Sequence, residues 1–155
     1  MFVLVRHAHA GEKESWHGRD ADHPLSTLGY WQSRGLVAAL DGIELRALFA
    51  GPGTRCRQTL LALAAARGLR IDDHPLLAVD APNDELLAVL AAPEAGGVVV
   101  CTHGEVLDAL AEPARAGGAA WVPSAASTAK GGAWIVDRGD GPAPILQYLP
   151  PTPPN

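Results

Sequence analysis

Gly97-Val98-Val99-Val100-Cys101-Thr102-His103-Gly104 is the stretch from which the rest of the chain is best read. Val98 to Thr102 is a short, continuous apolar and β-branched run without alternation, the pattern of a strand buried on both faces. Such a strand needs a layer of structure on each side. It ends in a histidine and a glycine, where a helix over Glu105 to Leu110 is expected to begin.

Two other segments repeat this plan. Phe2 to Val5 reads as a buried strand that stops at Arg6-His7, and Ala47 to Ala50 reads as a strand that runs into Gly51-Pro52-Gly53. Thr54 then opens a helix that ends at Gly68. Between the two, Ala8 to Leu25 breaks every periodicity and predicts a long surface loop. Ser26 or Thr27 caps a following helix whose Leu28, Trp31, Leu36, Val37 and Leu40 recur at amphipathic spacing, stopping before Gly42. Ile71 to Val79 is expected to hold a short strand and Asp84 to Leu90 a helix. After a Gly/Ala-rich loop over Ala114 to Ala129, Ala133 to Val136 and Ile145 to Tyr148 predict two final strands joined through Gly139-Asp140-Gly141.

Strands alternating with helices predict one α/β domain over residues 1–149: a three-layer sandwich with a mostly parallel central sheet and helices on both faces. The tail from Pro150 to Asn155 holds four prolines and is expected to be extended or disordered. In such sheets ligands bind beyond the carboxyl ends of the strands. Three strands here end at His7, Pro52 and His103, and that is where chemistry is expected.

Composition narrows the classes of function. The chain has 155 residues, 48% apolar and 19% charged, which describes a single globular domain. No stretch approaches the ~20 apolar residues that span a bilayer, and Phe2 to Val5 has no cationic segment before it, so neither a membrane span nor a signal peptide is expected. Cys56 and Cys101 are too few for a disulfide framework, and a reducing, cytoplasmic setting is expected. A sequence pI near 5.6 argues against a nucleic-acid wrapper. Residues 1–70 nevertheless carry nine basic against six acidic side chains, while residues 71–155 carry three against eleven. Ten of the twelve cations are arginine, the side chain suited to bidentate contact with phosphate or carboxylate.

The strand ends carry the candidate residues. Arg6 and His7 are followed by small residues, which let a ligand approach the backbone. Arg55 and Arg57 lie in the first turn of a helix, where a cation opposes the dipole, so an anion is expected to compensate at least one of them. Arg57 is expected to face solvent. His103, with Gly104 behind it, is a histidine that packing does not require. Together Arg6, His7, Arg55 and His103 supply what phosphoryl transfer to a histidine needs: a neutral imidazole to attack phosphorus, cations for the equatorial oxygens, and a second imidazole to donate to one of them.

These residues resemble the histidine phosphatase, or phosphoglycerate mutase-like, superfamily. Leu4-Val5-Arg6-His7-Ala8 resembles its first signature, Pro52-x-x-Arg55-x-x-Gln58-Thr59 its second, and Thr102-His103-Gly104 its last, in the family's order. The resemblance implies a phosphoglycerate mutase-like fold, a phosphorylated nucleophile at His7, a phosphate pocket of Arg6, Arg55, His103 and Gly104, and no metal or organic cofactor. The short length and His23-Pro24-Leu25-Ser26-x-x-Gly29 are similar to the compact SixA-type phosphohistidine phosphatases, and also to the phosphatase domain that follows a Nudix domain in some bacterial polypeptides. Lys130-Gly131-Gly132-Ala133-Trp134 resembles the latter group's final strand. Departures are His23 where the family has arginine, and Ala50-Gly51-Pro52 where it has two serines before the proline. Only Leu69 to Gly96 separates the second and third motifs, which implies an open site without a large cap.

Members acting on phosphomonoesters protonate the leaving group from a carboxylic acid in that insert. Asp80 lies nearest the family's position; Asp84, Glu85 and Glu105 are the alternatives. His9 is a candidate for the pocket rim, while His17, His23 and His74 are expected to be exposed. A metal site built from His7, His9 and His103 would place a guanidinium beside a dication, which is repulsive. The expected partner is a phosphorylated small molecule or a phosphohistidine protein. The alternatives are a phosphate-binding or regulatory module without turnover, and a phosphomutase, which would need a closed site. The sequence leaves the substrate and the oligomeric state open.

Overall fold

The computed structural model describes residues 1–116, 123–137, 139 and 144–153. Strands β1 (Phe2–Arg6), β2 (Ala47–Ala50), β3 (Ile71–Asp73), β4 (Val98–Thr102), β5 (Ala133–Asp137) and β6 (Ile145–Leu149) form one sheet in the order β3-β2-β4-β1-β5-β6. The first four strands in that order run parallel, β5 pairs antiparallel with β1, and β6 antiparallel with β5. Helices α1 (Thr27–Ala39), α2 (Thr54–Arg67), α3 (Asn83–Ala91) and α4 (Gly104–Ala116) complete the α/β architecture.

The pleat sorts the core into two layers. Val3, Val5, Val99 and Cys101 pack with Leu36 and Leu40 of α1 and Leu60 and Leu63 of α2. Phe2, Leu4, Val98 and Val100 point the other way, onto Leu86 and Leu90 of α3 and Leu107 and Leu110 of α4. Every residue of β4 is buried, because it is central and covered on both faces. The mostly parallel sheet with helices on both faces is therefore present as expected.

Two features of this topology make a site. Arg6 pairs with Thr102 and Ala50 with Cys101, so β1, β4 and β2 end nearly level and deliver His7, His103 and the Gly51–Gly53 turn to one edge. The helices that follow the adjacent strands β1 and β4 leave to opposite faces, which opens a crevice at the carboxyl ends between them. The insert between the second and third motifs forms β3, a short turn and α3. Leu86 and Leu90 bind α3 to the sheet, so this insert is part of a core layer and does not lie over the crevice as a cap.

Local chemistry fixes the helix ends. Ser26 is the N-cap of α1, its hydroxyl accepting the Gly29 N–H, and Gly68 closes α2 with φ +63°, a conformation glycine adopts without strain. Gly29 also lies against the main chain beyond His7: a Cβ there would overlap the His9 carbonyl oxygen. In an exposed helix Gly→Ala is stabilising by about 1 kcal/mol. Gly29→Ala is instead expected to destabilise by about 1–3 kcal/mol in urea unfolding, because the helix and the 8–11 segment must separate. A gain in stability would show that the two are not fastened together.

The short strand expected within Ile71 to Val79 is β3, which ends at Asp73 because Pro75 begins a 3-10 turn. The helix expected to end at Leu110 runs to Ala116. Of the tail, expected to be extended or disordered, residues 150–153 are described: Pro151 is buried, and a Cβ on Gly35 of α1 would overlap the Thr152 carbonyl. Asn155 and most of the turn through Gly139-Asp140-Gly141 lie outside the described residues. No helix among the described residues is long and apolar enough to cross a membrane.

Candidate active site

His7 begins the loop after β1 and is buried. Its Nδ1–H donates to the Ala8 carbonyl at 2.8 Å, which leaves the lone pair on Nε2. Burial, and then the charges of His103, Arg55 and Arg6, push its pKa down from 6.5 to about 3, against the opposing pull of the Ala8 carbonyl. The sequence pointed to the arginines as the cause; desolvation is the larger one. The ring is thus neutral over the physiological range.

His103 follows β4 and meets His7 edge to face, with ring centroids 5.3 Å apart. Its Nε2 lies 3.5 Å from Cys56 Sγ, and its Nδ1 is buried without a hydrogen-bond partner among the described residues. Cys56 and Cys101 are both free and buried beneath the crevice. The Cys56 thiol is lowered by its hydrogen bond with Cys101 and then by His103.

The two arginines are each fastened at one end. Arg6 Nη1 donates to the carbonyls of Thr128 at 2.8 Å and Ala125 at 3.1 Å, while its Nε is buried without a partner among the described residues. Its guanidinium lies on Gly104, where a Cβ would be 2.8 Å from Nη2, so the glycine is required by a close approach. Arg55, almost wholly buried at the start of α2, donates to Asp20 through both Nη1 and Nη2. The anion that compensates this helix-N-terminal cation is therefore, in the structure, a carboxylate of the chain itself.

Gln58 and Thr59 hold the frame. Thr59 Oγ1 accepts the Ala8 N–H at 2.9 Å and donates to the Arg55 carbonyl at 2.6 Å, joining the two motifs directly. Gln58 Oε1 accepts the Leu25 N–H, and the buried Gln32 Oε1 accepts that of His9. Gly131 N–H reaches the carbonyls of both Arg6 and His7.

The remaining candidates are not bonded into this cluster. Asp80, Asp84, Glu85 and Glu105 are exposed, and none bonds to His7, Arg6, Arg55 or His103 among the described residues. His9 Nδ1 is bonded to Ser26 Oγ at 2.7 Å, so it serves the start of α1. His17 is exposed as expected, but His23 is buried with its ring stacked on Trp16 at 5.4 Å, and His74 is half-buried against Phe49. That stacking follows from the 8–25 loop folding back on itself, which the lack of periodicity concealed. Arg57 is partly exposed but not free, since it pairs with Asp73 at 2.6 Å. Asp20 and Gln32 are the site residues that sequence reasoning missed. A cavity of about 560 Å³ adjoins the crevice, lined by Ala21, Gly51, Gly53, Thr54 and His74 among others.

Comparison with known proteins bears on the family and the fold. A family model described as the histidine phosphatase superfamily (branch 1) matches residues 2–78. The 8-oxo-(d)GTP phosphatase of Mycolicibacterium smegmatis is 31% identical over 162 residues, covering 96% of this chain and 48% of the relative, so the chain spans about half its length. Among solved structures, the "putative phosphohistidine phosphatase SixA" of Agrobacterium tumefaciens superposes with a TM-score of 0.73 at 23% identity, covering 97% of each chain. The protein histidine phosphatase SixA complexed with tungstate also gives 0.73, at 21% identity over 96% of this chain and 95% of that one. These two establish likeness of fold. By sequence match, motif order and fold together, the chain belongs to the histidine phosphatase superfamily.

Proposed function

We propose that the chain is a phosphatase that hydrolyses a phosphate ester or a phosphoramidate through a phosphohistidine on His7. The observation that carries this reading is a pair of buried polar atoms, Arg6 Nε and His103 Nδ1, that have no partner among the described residues, beside an imidazole held neutral. A buried guanidinium N–H without an acceptor costs free energy, and an anionic ligand removes that cost.

The chemistry follows from the free lone pair. His7 Nε2 attacks phosphorus, a P–N bond forms, and the P–O or P–N bond to the leaving group breaks with its electron pair departing on that group. Arg6, Arg55 and His103 neutralise charge on the three equatorial oxygens, and the Gly104 backbone allows the close approach. The leaving group takes a proton from Asp80 or from water. Water then attacks the phosphohistidine, Nε2 recovers its lone pair, and phosphate leaves. A phosphomutase would have to exclude that water; α3 packs on the sheet through Leu86 and Leu90 and so supplies no such cover itself, which favours hydrolysis.

The substrate class is tested by turnover of 4-nitrophenyl phosphate alongside a phosphohistidine protein and nucleoside phosphates, with and without a metal chelator. Turnover of the aryl ester that is unchanged by the chelator is expected. Activity lost on chelation and restored by zinc or magnesium would overturn the all-side-chain mechanism. Binding of phosphate without turnover would favour a regulatory module.

A further inference from the structure

Arg55 differs from the other cations of the crevice in being fastened by a carboxylate. Its Nη2 donates to Asp20 Oδ2 at 3.1 Å, and its Nη1 to Oδ1 at 3.4 Å and to the Asp20 carbonyl at 3.0 Å. The guanidinium is buried, whereas the Asp20 side chain is 65% exposed, in a short turn (Asp20–Asp22) of the loop after β1. A guanidinium presents two edges that can each take a pair of oxygens: the end-on edge of Nη1 and Nη2, and the side edge of Nε and Nη2. Asp20 fills the first. On the second, neither Nε nor the remaining N–H of Nη2 has a partner among the described residues. Arg6 repeats the arrangement, with Nη1 fastened to carbonyls and Nε unpartnered.

Building on the phosphatase reading above, we infer that Asp20 is a positioning residue of the phosphoryl site, holding Arg55 by its end-on edge so that the side edge faces two oxygens of the transferring group. Three facts favour a carboxylate for this task. A buried guanidinium needs a counter-charge when no substrate is bound. The fork geometry fixes the plane of the guanidinium, which one carbonyl would leave free to rotate. The Asp20 carboxylate bonds to no group but Arg55 among the described residues. The carboxylate also repels a bound phosphate dianion. Its contribution is therefore to orientation in the transition state, while ground-state binding gains from alignment and loses to repulsion in comparable measure.

Steady-state kinetics with 4-nitrophenyl phosphate, and inhibition by inorganic phosphate, separate the possibilities for Asp20→Ala and Asp20→Asn in wild-type and Arg55→Ala backgrounds. The expected result is a fall in kcat of roughly 10- to 100-fold for Asp20→Ala and a smaller one for Asp20→Asn, with phosphate inhibition changed less than about threefold. In the Arg55→Ala background, removing Asp20 should cost nothing further, because its effect runs through Arg55. Phosphate inhibition strengthened tenfold with kcat retained would overturn the inference and make Asp20 a competitor for the pocket. So would unchanged kinetics, or an equal loss in both backgrounds. A wild-type chain that neither turns over the ester nor is inhibited by phosphate would overturn the phosphatase reading and this inference together.

Discussion

His7→Ala is expected to abolish turnover, with a fall of at least about 10⁴-fold in kcat for every phosphate substrate, because it removes the imidazole whose Nε2 lone pair is left free by the Nδ1–Ala8 bond. The fold should survive, since His7 lies at the end of β1 outside both packed layers. The substitution should also change the response to acid. The folded-state pKa of His7 lies near 3 and its unfolded value near 6.5, so between those limits the unfolded chain binds the proton that the folded chain refuses. Stability from this group is complete above pH 6.5 and is lost as pH falls toward 3, at up to about 1.4 kcal/mol per pH unit. His7→Ala removes that slope, so urea unfolding at pH 5 and 7 should show a smaller loss on acidification for the variant. Turnover near wild type, or identical acid sensitivity in both proteins, would show that His7 is neither nucleophile nor a neutral buried imidazole.

Arg6→Lys is expected to lower kcat by about 10²–10³-fold despite preserving charge. Arg6 acts through separate atoms: Nη1 fastens the carbonyls of Ala125 and Thr128, and Nε is left for an anion. A single ammonium can meet the carbonyls or the phosphoryl oxygen, but not both. Stability should change by less than about 1 kcal/mol, as the ammonium can still serve the carbonyls. A lysine variant within tenfold of wild type would mean that charge alone suffices at this position.

Much of this arrangement could be read before the fold was known, and the reasons are specific. Ala47–Ala50, Thr54–Arg67 and Val98–Thr102 were recognisable because each is short, strongly patterned and bounded by Gly, Pro or a polar residue. The convergence of His7 and His103 followed from strands ending in histidine in a parallel sheet. What could not be read depends on long-range contact. Asp20 sits in a loop without periodicity, and its partner Arg55 is 35 residues away. His23 was expected at the surface, because nothing in its neighbours announces that Trp16 folds back over it. The prolines of the tail predict an extended or disordered chain, and they do not announce that Gly35 gives the main chain at Thr152 a place to lie against α1. Burial as the chief cause of the lowered His7 pKa is likewise a property of packing, whereas the adjacent arginines are visible in the chain itself.

The phosphohistidine itself can be observed. Mixing the chain with a phosphate ester labelled in the phosphoryl group, quenching within the first turnover, and locating the label by peptide mapping should place it on His7, in an adduct lost in acid and retained in base. A label on any other residue, an acid-stable label, or product formed in a burst with no labelled protein would contradict transfer through His7.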